Sequence, residues 1–225
     1  FWLDQQDVHP VPFTMISLED IQKQRYRVNP EILPDIGLSA KAAYDYVCHY
    51  AKVLEQKGKF QLTIWPYHAI EGSVGHALVG NIQEAIFFHN VARSVTSPVV
   101  CKGDHPLTES YSALGSEVCP YEYFKQEKPQ ASFSLYETLL AYDRIVITGQ
   151  AKSHCVAWTV ADLLKKCQQD APSRIGDIYL LEDTTSAVVI PDVIEFTDQA
   201  DAAFAAFEEA GMVRITSQDF ARVYS

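Results

Sequence analysis

Residues 144–156 have the sequence RIVITGQAKSHCV. The first part, Arg144–Thr148, is rich in β-branched residues, which is typical of a buried strand. Gly149 then indicates a tight turn, and the segment 153–168 has the apolar spacing of a helix. The stretch therefore predicts a strand, a turn and the first turn of a helix, with Cys155 at the start of that helix.

The same alternation continues along the chain on both sides. Further strands are predicted at Phe60–Ile64, Pro98–Cys101, Ile175–Leu181 and Met212–Ile215. Further helices are predicted at 40–57, 77–92, Phe133–Tyr142 and 197–210, with a weaker one near 109–115. Apolar strands separated by amphipathic helices are typical of a parallel sheet that is covered on both faces. We therefore predict an α/β fold with three layers (α/β/α) and a mostly parallel, Rossmann-like central sheet.

The predicted elements also suggest how the chain is organised. The segment 39–225 carries the alternation and predicts one α/β domain. Residues 1–38 contain four prolines and no sustained period, which predicts a loop-rich lead-in or insertion.

The composition narrows the class of protein. A net charge of −11 argues against a nucleic-acid or anionic-membrane partner, because such surfaces need clustered Lys and Arg. No apolar run approaches the roughly 20 residues that span a bilayer, and no signal peptide is visible. The 5 cysteines form no CxxC pair, and an odd number is typical of reduced thiols in a reducing compartment. We expect a cytoplasmic protein.

Three segments with unusual chemistry follow predicted strands: 65–75, 101–112 and 148–155. In parallel sheets, ligands bind where the loops after neighbouring strands converge. Cys155 is the strongest candidate, because the N–H groups of a helix N-terminus stabilise a thiolate. The same groups can hold the oxyanion that forms when a thiolate attacks an acyl carbon. The alternative is a buried, inert cysteine that closes the turn.

The other candidate residues are weaker when each is taken alone. Lys102 could supply a positive charge beside a thiol, although a solvated surface lysine is the ordinary alternative. A single histidine such as His68 is not a metal site, and Trp65 fits either a flat ligand or the core. His154 adjoins Cys155, but neighbouring residues on a helix point about 100° apart. We therefore favour a structural or pocket-rim role for His154.

The motifs in these segments form a recognisable combination. Segment 147–156 contains Gly-x-Ala, then three residues, then Cys-Val. Residues 65–68 are Trp-Pro-Tyr-His and residues 72–75 are Gly-Ser-Val-Gly. Lys102-Gly103 is followed by Ser-Tyr-Ser at 110–112. The combination resembles the isochorismatase-like cysteine hydrolases, and in particular their nicotinamidase branch, from about residue 40 to the C-terminus.

The resemblance implies a role for several residues. It implies Cys155 as the nucleophile and Lys102 as its charged partner. It implies the backbone N–H groups of Ala151 and Cys155 as the oxyanion hole, with a cis peptide bond just before the alanine. It further implies that Trp65 lies against the substrate ring and that His68 binds zinc or another divalent metal. The resemblance also implies a small-molecule substrate and no organic cofactor. A homo-oligomer is implied as well, because relatives often form dimers or tetramers.

The sequence departs from the family pattern in three places. Ala69 stands where nicotinamidases often have a cysteine. The catalytic aspartate of the family and its Asp-x-His element, which supplies two more metal ligands, have no counterpart in the sequence. We therefore expect two strands, the general base and most of the metal site to lie upstream of Phe1, in a longer protein or on a second polypeptide.

Three functions fit these residues. The first is an amidohydrolase that acts on a small carboxamide through a thioester on Cys155 and releases ammonia. The second is an isochorismatase-type hydrolase, which relies on the aspartate and needs no cysteine. Because Cys155 occurs together with Trp65 and His68, the sequence favours the amidase. The third is a non-catalytic binding protein that has lost its base.

Overall fold

A computed structural model describes residues 1–57, 61–103, 105–128 and 134–224. The chain divides into two units, Phe1–Val99 and Val100–Ser225. None of the helices within the described ranges is long and apolar enough to cross a membrane.

The described part of the first unit contains short antiparallel strand pairs and helices. In chain order the elements are β1 (Trp2–Asp4), β2 (Met15–Ile16), α1 (Leu18–Gln22), β3 (Tyr26–Val28), α2 (Ala40–Lys57), β4 (Leu62–Thr63) and α3 (Gly80–Arg93), with a 3₁₀ turn at Pro30–Ile32. β1 pairs with β3, and β2 pairs with β4. Helix α1 begins at a capping box, in which the Ser17 side chain accepts from the Asp20 N–H and the Asp20 carboxylate accepts from the Ser17 N–H.

Helix α2 confirms the prediction made for residues 40–57. The Ser39 hydroxyl oxygen accepts a hydrogen bond from the Ala42 N–H at 3.2 Å, as an N-cap residue does. The buried side chains recur three or four residues apart, at Ala43, Tyr46, Val47, Tyr50, Ala51 and Leu54. This stripe faces the interior of the first unit, where α2 packs against α1.

Several other predictions for the first unit need correction. The predicted strand Phe60–Ile64 is reduced to Leu62–Thr63, which pairs antiparallel with β2 rather than in a parallel sheet, and Phe60 lies outside the described residues. Residues 1–38 contain β1, β2, α1 and β3, which are too short to produce a visible period. The predicted helix 77–92 is present as α3, but none of its described side chains is buried.

The second unit is built around a parallel sheet. Its described elements are α4 (Pro120–Tyr123), α5 (Leu135–Leu140), β5 (Ile145–Ile147), α6 (Ala157–Asp170), β6 (Ile178–Leu181), β7 (Val189–Ile190), β8 (Ile194–Glu195), α7 (Thr197–Glu209), β9 (Val213–Ile215) and α8 (Ser217–Tyr224). A π-helical turn at Lys152–Val156 leads into α6, and 3₁₀ turns lie at Pro172–Asp177 and Glu182–Thr184. The sheet order is β5-β6-β9, with all three strands parallel. The predicted α/β class is confirmed.

The core of the second unit joins this sheet to two helices. Val160, Leu163 and Cys167 of α6 are fully buried at helical spacing. They lie in one apolar cluster with strand residues of β5 and β6 and with Phe204 and Phe207 of α7. Burial of apolar area at roughly 25 cal/mol per Å² is the main stabilising term for such a cluster. The cluster includes residues at the start of α6 and in β5.

Predictions for the connecting segments were less accurate. No helix forms at 109–115; that loop is instead closed by a hydrogen bond from the Glu117 N–H to the Glu109 oxygen at 2.9 Å. Pro98–Cys101 is not a strand, and Val99 is 80% exposed, because a short apolar run forms a strand only beside a pairing partner. The predicted strand 175–181 begins at Ile178, after a 3₁₀ turn that starts with Pro172.

Truncation of a core side chain tests the packing of α6 on the sheet. We expect Leu163→Ala to lower the free energy of unfolding by about 3 kcal/mol, because it removes buried methyl groups and leaves a cavity. Urea titration followed by circular dichroism measures the change. The matched control is Leu78→Ala, at a side chain that is 53% exposed. An equal, small effect of both substitutions would contradict the packing described here.

Candidate active site

The turn that carries Cys155 has an unusual backbone. After β5 ends, Gly149 adopts φ = 121°, a conformation that residues with a Cβ rarely adopt. The peptide bond between Gln150 and Ala151 is cis, as the resemblance implied. The π-helical turn Lys152–Val156 follows, so Cys155 lies just before the α-helical part of α6.

The loop after β6 holds this turn through a series of hydrogen bonds. The Gly149 N–H and the Thr148 hydroxyl both donate to the Thr184 oxygen, at 3.4 Å and 3.3 Å. The Lys152 N–H donates to the Ser186 oxygen at 2.8 Å. The Ser186 hydroxyl donates to Gln150 Oε1 at 3.1 Å. Because β5 and β6 are parallel neighbours, the residues that follow them lie at the same edge of the sheet.

The same loop also contacts the π-helical turn itself. The Val188 N–H donates to the Ser153 hydroxyl oxygen at 3.0 Å. Ser153 is buried, and its hydroxyl also lies 2.8 Å from His154 Nδ1. The turn is therefore fixed on both sides of the cis peptide bond.

Lys102 lies beside Cys155. Its ammonium group donates to the Cys155 sulfur at 3.3 Å and to the Ser110 oxygen at 2.7 Å. The two residues are 53 positions apart in the sequence. An ammonium group at hydrogen-bonding distance is typical of the surroundings of reactive cysteines. Cys155 itself is half-buried, so the structure brings the predicted nucleophile and its predicted charged partner together.

The backbone amides of the turn differ in whether they already have acceptors. The Lys152 N–H donates to Ser186, and the N–H groups of His154 and Val156 donate to the Ala151 oxygen at 3.0 Å and 3.1 Å. The Ala151 N–H has no acceptor among the described residues. An amide without an acceptor next to a cysteine can donate to an oxyanion. Ala151 therefore has the property that the predicted role requires; the role itself, like that of the Cys155 N–H, stays a prediction.

His154 faces the interior, which is not where a base acting on Cys155 would lie. It is 4% exposed, and its ring packs against Phe196 at 4.7 Å and Tyr111 at 5.7 Å between centroids. Burial lowers the pKa of His154 from 6.5 to about 4. The imidazole is therefore neutral at pH 7. The structural or pocket-rim role that the sequence favours stays a prediction.

A group of charged residues near the turn was not singled out from the sequence. The Lys152 ammonium contacts the carboxylates of Glu182 and Asp201, and Glu182 also contacts Arg214. In the sequence Lys152 is similar to any surface lysine near a helix start. Its position between Ala151 and Cys155 was the signal available, but its two carboxylate partners, and the arginine that contacts one of them, come from distant segments.

The two remaining predicted site residues, Trp65 and His68, lie in the first unit. Their rings contact each other, with centroids 6.4 Å apart, and Trp65 also packs against Phe13. His68 is exposed, and its Nδ1 lies 2.7 Å from the Pro66 oxygen. The structure places them together; their predicted roles toward a substrate ring and a metal stay predictions.

The described residues near His68 do not provide enough ligands for a metal ion. Across the residues that the structure describes, no group of three or more His, Cys, Asp or Glu side chains could hold a metal ion. Because His68 alone supplies one ligand where a zinc site needs three or four, these residues do not make a metal site.

Comparison with known proteins gives structural similarities only. No family model matches the chain, and no curated protein matches it. Similar solved structures include the nicotinamidase–pyrazinamidase of Acinetobacter baumanii (20% identity, 72% of this chain and 64% of that chain, TM-score 0.44). They also include the yeast nicotinamidase (17% identity, 69% and 60%, TM-score 0.45). A third is the pyrazinamidase of Pyrococcus horikoshii in complex with zinc (18% identity, 83% and 85%, TM-score 0.40). The chain thus spans 64% and 60% of the length of the first two.

The buried, neutral His154 has a measurable consequence for stability. In the unfolded chain a histidine binds a proton near pH 6.5, whereas the folded protein binds it only near pH 4. Stability is therefore lost as the pH falls through this window, by about 2 kcal/mol between pH 7 and pH 5. We expect His154→Gln to remove that part of the pH dependence in urea titrations at the two pH values.

The control for this experiment is His89→Gln, at an exposed histidine of α3. It should leave the difference between pH 7 and pH 5 as it is in the unsubstituted protein. If His154→Gln and His89→Gln behave alike, the desolvation of His154 is not the cause.

Proposed function

We propose that the chain belongs to a cysteine hydrolase of the isochorismatase-like superfamily that cleaves a small carboxamide, as nicotinamidases do. The observation that carries the proposal is the hydrogen bond from Lys102 to the Cys155 sulfur at 3.3 Å. It supports an activated sulfur nucleophile rather than a buried, inert cysteine. An isochorismatase-type reaction has no need for such a pair.

The first chemical step is attack of the Cys155 thiolate on the carboxamide carbon. A carbon–sulfur bond forms, and the carbonyl electron pair moves onto oxygen, which becomes an oxyanion. The N–H groups of Ala151 and Cys155 donate to that oxyanion, which is where negative charge develops. Lys102 stabilises the thiolate before attack.

The second step releases ammonia and leaves a thioester. The carbon–oxygen double bond re-forms, the carbon–nitrogen bond breaks, and the nitrogen takes a proton from a general acid. Water then attacks the thioester, and the carboxylic acid leaves as the carbon–sulfur bond breaks. In the family this acid–base role belongs to an aspartate, and we assign it to none of the described residues.

Trp65 is proposed as a substrate-binding residue. Trp65 presents an aromatic ring, which is suited to stacking on a flat, heteroaromatic amide such as nicotinamide or pyrazinamide. This role rests on the resemblance of residues 65–68 to the corresponding segment of nicotinamidases. A metal at His68 stays a separate proposal, and no chemical step described above depends on it.

Substitution of the nucleophile tests the proposal directly. We expect Cys155→Ala and Cys155→Ser to lower ammonia release from nicotinamide and pyrazinamide by at least about a thousandfold, because removal of a nucleophile eliminates the covalent route. The control is Cys101→Ser, at an exposed cysteine of the same unit. Ammonia release that survives in Cys155→Ala would exclude a thioester on Cys155, and turnover of isochorismate alone would favour the second function.

The contribution of Lys102 can be measured without a substrate. We expect Lys102→Met to slow alkylation of Cys155 by iodoacetamide at pH 7 by about tenfold, because the substitution removes the ammonium group that donates to the sulfur. Mass spectrometry of the peptide that contains Cys155 gives the rate. Lys165→Met, at an exposed lysine of α6, is the control. Equal rates in all three proteins would mean that Lys102 does not activate the sulfur.

A further inference from the structure

The charged residues around Lys152 form what we call the lysine cluster: Lys152, Glu182, Asp201 and Arg214. The Lys152 side chain is 7% exposed. Its ammonium group donates to Glu182 and, at 2.6 Å, to Asp201, and it lies 4.7 Å from the centre of the Phe204 ring. The second oxygen of Glu182 accepts from Arg214 Nε at 2.5 Å. The cluster contains two cationic and two acidic side chains.

The cluster connects the nucleophile turn to three other elements of the second unit. Glu182 follows β6, Asp201 lies in α7, and Arg214 lies in β9. Lys152 is also held through its backbone, because its N–H donates to the Ser186 oxygen at 2.8 Å. Both the backbone N–H and the side-chain ammonium group of Lys152 are therefore held by hydrogen bonds. Lys152 directly follows Ala151 in the chain.

A buried charged group is costly to keep in a protein unless it has well-placed partners. Burial alone would raise the pKa of Glu182, but hydrogen bonds from Arg214 and Lys152 lower it. The hydrogen bond from Lys152 likewise lowers the pKa of Asp201. Both carboxylates are therefore ionised at neutral pH, and the cluster persists there.

An apolar side chain at position 152 would avoid the cost of burying a charge, so stability alone is a weak explanation for the lysine. Ion pairs with short hydrogen bonds, unlike apolar contacts, fix direction as well as distance. Lys152 belongs to the same turn as Cys155 and directly follows Ala151. The direction of its ion pairs therefore bears on the backbone that carries the Ala151 N–H.

We infer that Lys152 is a positioning residue for the oxyanion hole, in which its ion pairs hold the Ala151 N–H at the correct angle to the Cys155 sulfur. Lys102 and Lys152 then have different tasks. Lys102 contacts the sulfur, whereas Lys152 contacts no reacting atom and acts through the backbone. The inference rests on the proposed function, since an oxyanion hole presupposes attack on a carbonyl group.

Two reagents distinguish the oxyanion hole from the thiolate. Iodoacetamide is attacked at a saturated carbon, so a carbon–sulfur bond forms, iodide leaves, and no oxyanion appears. Pyridine-3-carboxaldehyde adds the thiol reversibly across its carbonyl group, and the adduct's oxygen occupies the place of the oxyanion. The first reagent reports the reactivity of Cys155, and the second also reports the donors around it.

We expect Lys152→Met to weaken the aldehyde adduct at least about tenfold while the iodoacetamide rate changes less than about twofold, a pattern typical of a misplaced donor. Asp201→Asn removes one ion pair at a side chain that is 54% exposed, and it should weaken the adduct by a smaller factor. Lys152→Arg, which retains the positive charge, should restore part of the loss. Lys165→Met should match the unsubstituted protein with both reagents.

Two outcomes would overturn the inference. If Lys152→Met binds the aldehyde normally, the cluster does not control the hole. If Lys152→Met weakens the aldehyde adduct and slows iodoacetamide alkylation by the same factor, Lys152 only maintains the fold of the turn. Should Lys152→Met fail to fold, the same comparison between reagents in Asp201→Asn decides the question.

Failure of the proposed function gives a different result. In that case the unsubstituted protein reacts slowly with iodoacetamide and forms no aldehyde adduct. Hydrogen exchange of residues 148–156 then tests the positioning on its own: we expect Lys152→Met to speed exchange there at least about tenfold. Unchanged exchange would show that Lys152 does not hold the turn.

Discussion

The parallel pairing of β5 with β6 is the constraint on which the site depends. With Ile147 in register with Leu180, the two strands end at the same edge of the sheet, and the residues that follow them lie side by side. The turn after β5 carries Cys155, and the loop after β6 supplies the carbonyl groups of Thr184 and Ser186 that hold it. A shift in register would separate these hydrogen-bonding partners and would move the loop after β6 away from Lys152 as well. The chemistry of the turn is therefore a consequence of strand alignment.

The two lysines near Cys155, Lys102 and Lys152, differ in their surroundings. Lys102 is exposed and reaches Cys155 from a loop, so its contact with the sulfur is made in a region that water can enter. Screening by water weakens such an interaction, so it acts at short range, and the ammonium nitrogen lies 3.3 Å from the sulfur. Lys152 is buried, where the same charge interacts more strongly with its carboxylates. A charge that is tied to two carboxylates is unsuited to serve the sulfur, although Lys152 is far closer to Cys155 in sequence.

Local features of the fold were predictable from the sequence, and features that depend on distant partners were not. The β-branched run before Gly149 predicted β5, and the apolar spacing after Ser39 predicted α2, because both signals lie within one element. The sheet-edge argument indicated that the segments of Lys102 and Cys155 converge, but the pairing of the two side chains was implied by the resemblance, since no local pattern relates residues that are 53 positions apart. Pro98–Cys101 has the composition of a strand without forming one. The lysine cluster was missed for the same reason, since its members come from four separate segments.

His154 is adjacent to Cys155 in the chain. A histidine next to a cysteine invites the interpretation of a catalytic pair, but burial against Phe196 and Tyr111 removes its charge at neutral pH. Its ring is also engaged with the Ser153 hydroxyl, which the Val188 N–H holds in turn. The neutral imidazole thus packs in the interior of the second unit. The positive charge next to the sulfur is that of Lys102 instead. This arrangement, with a neutral His154 and a charged Lys102, is physically consistent. The free energy of burying an imidazolium beside the core would exceed that of placing an ammonium group where water can partly solvate it.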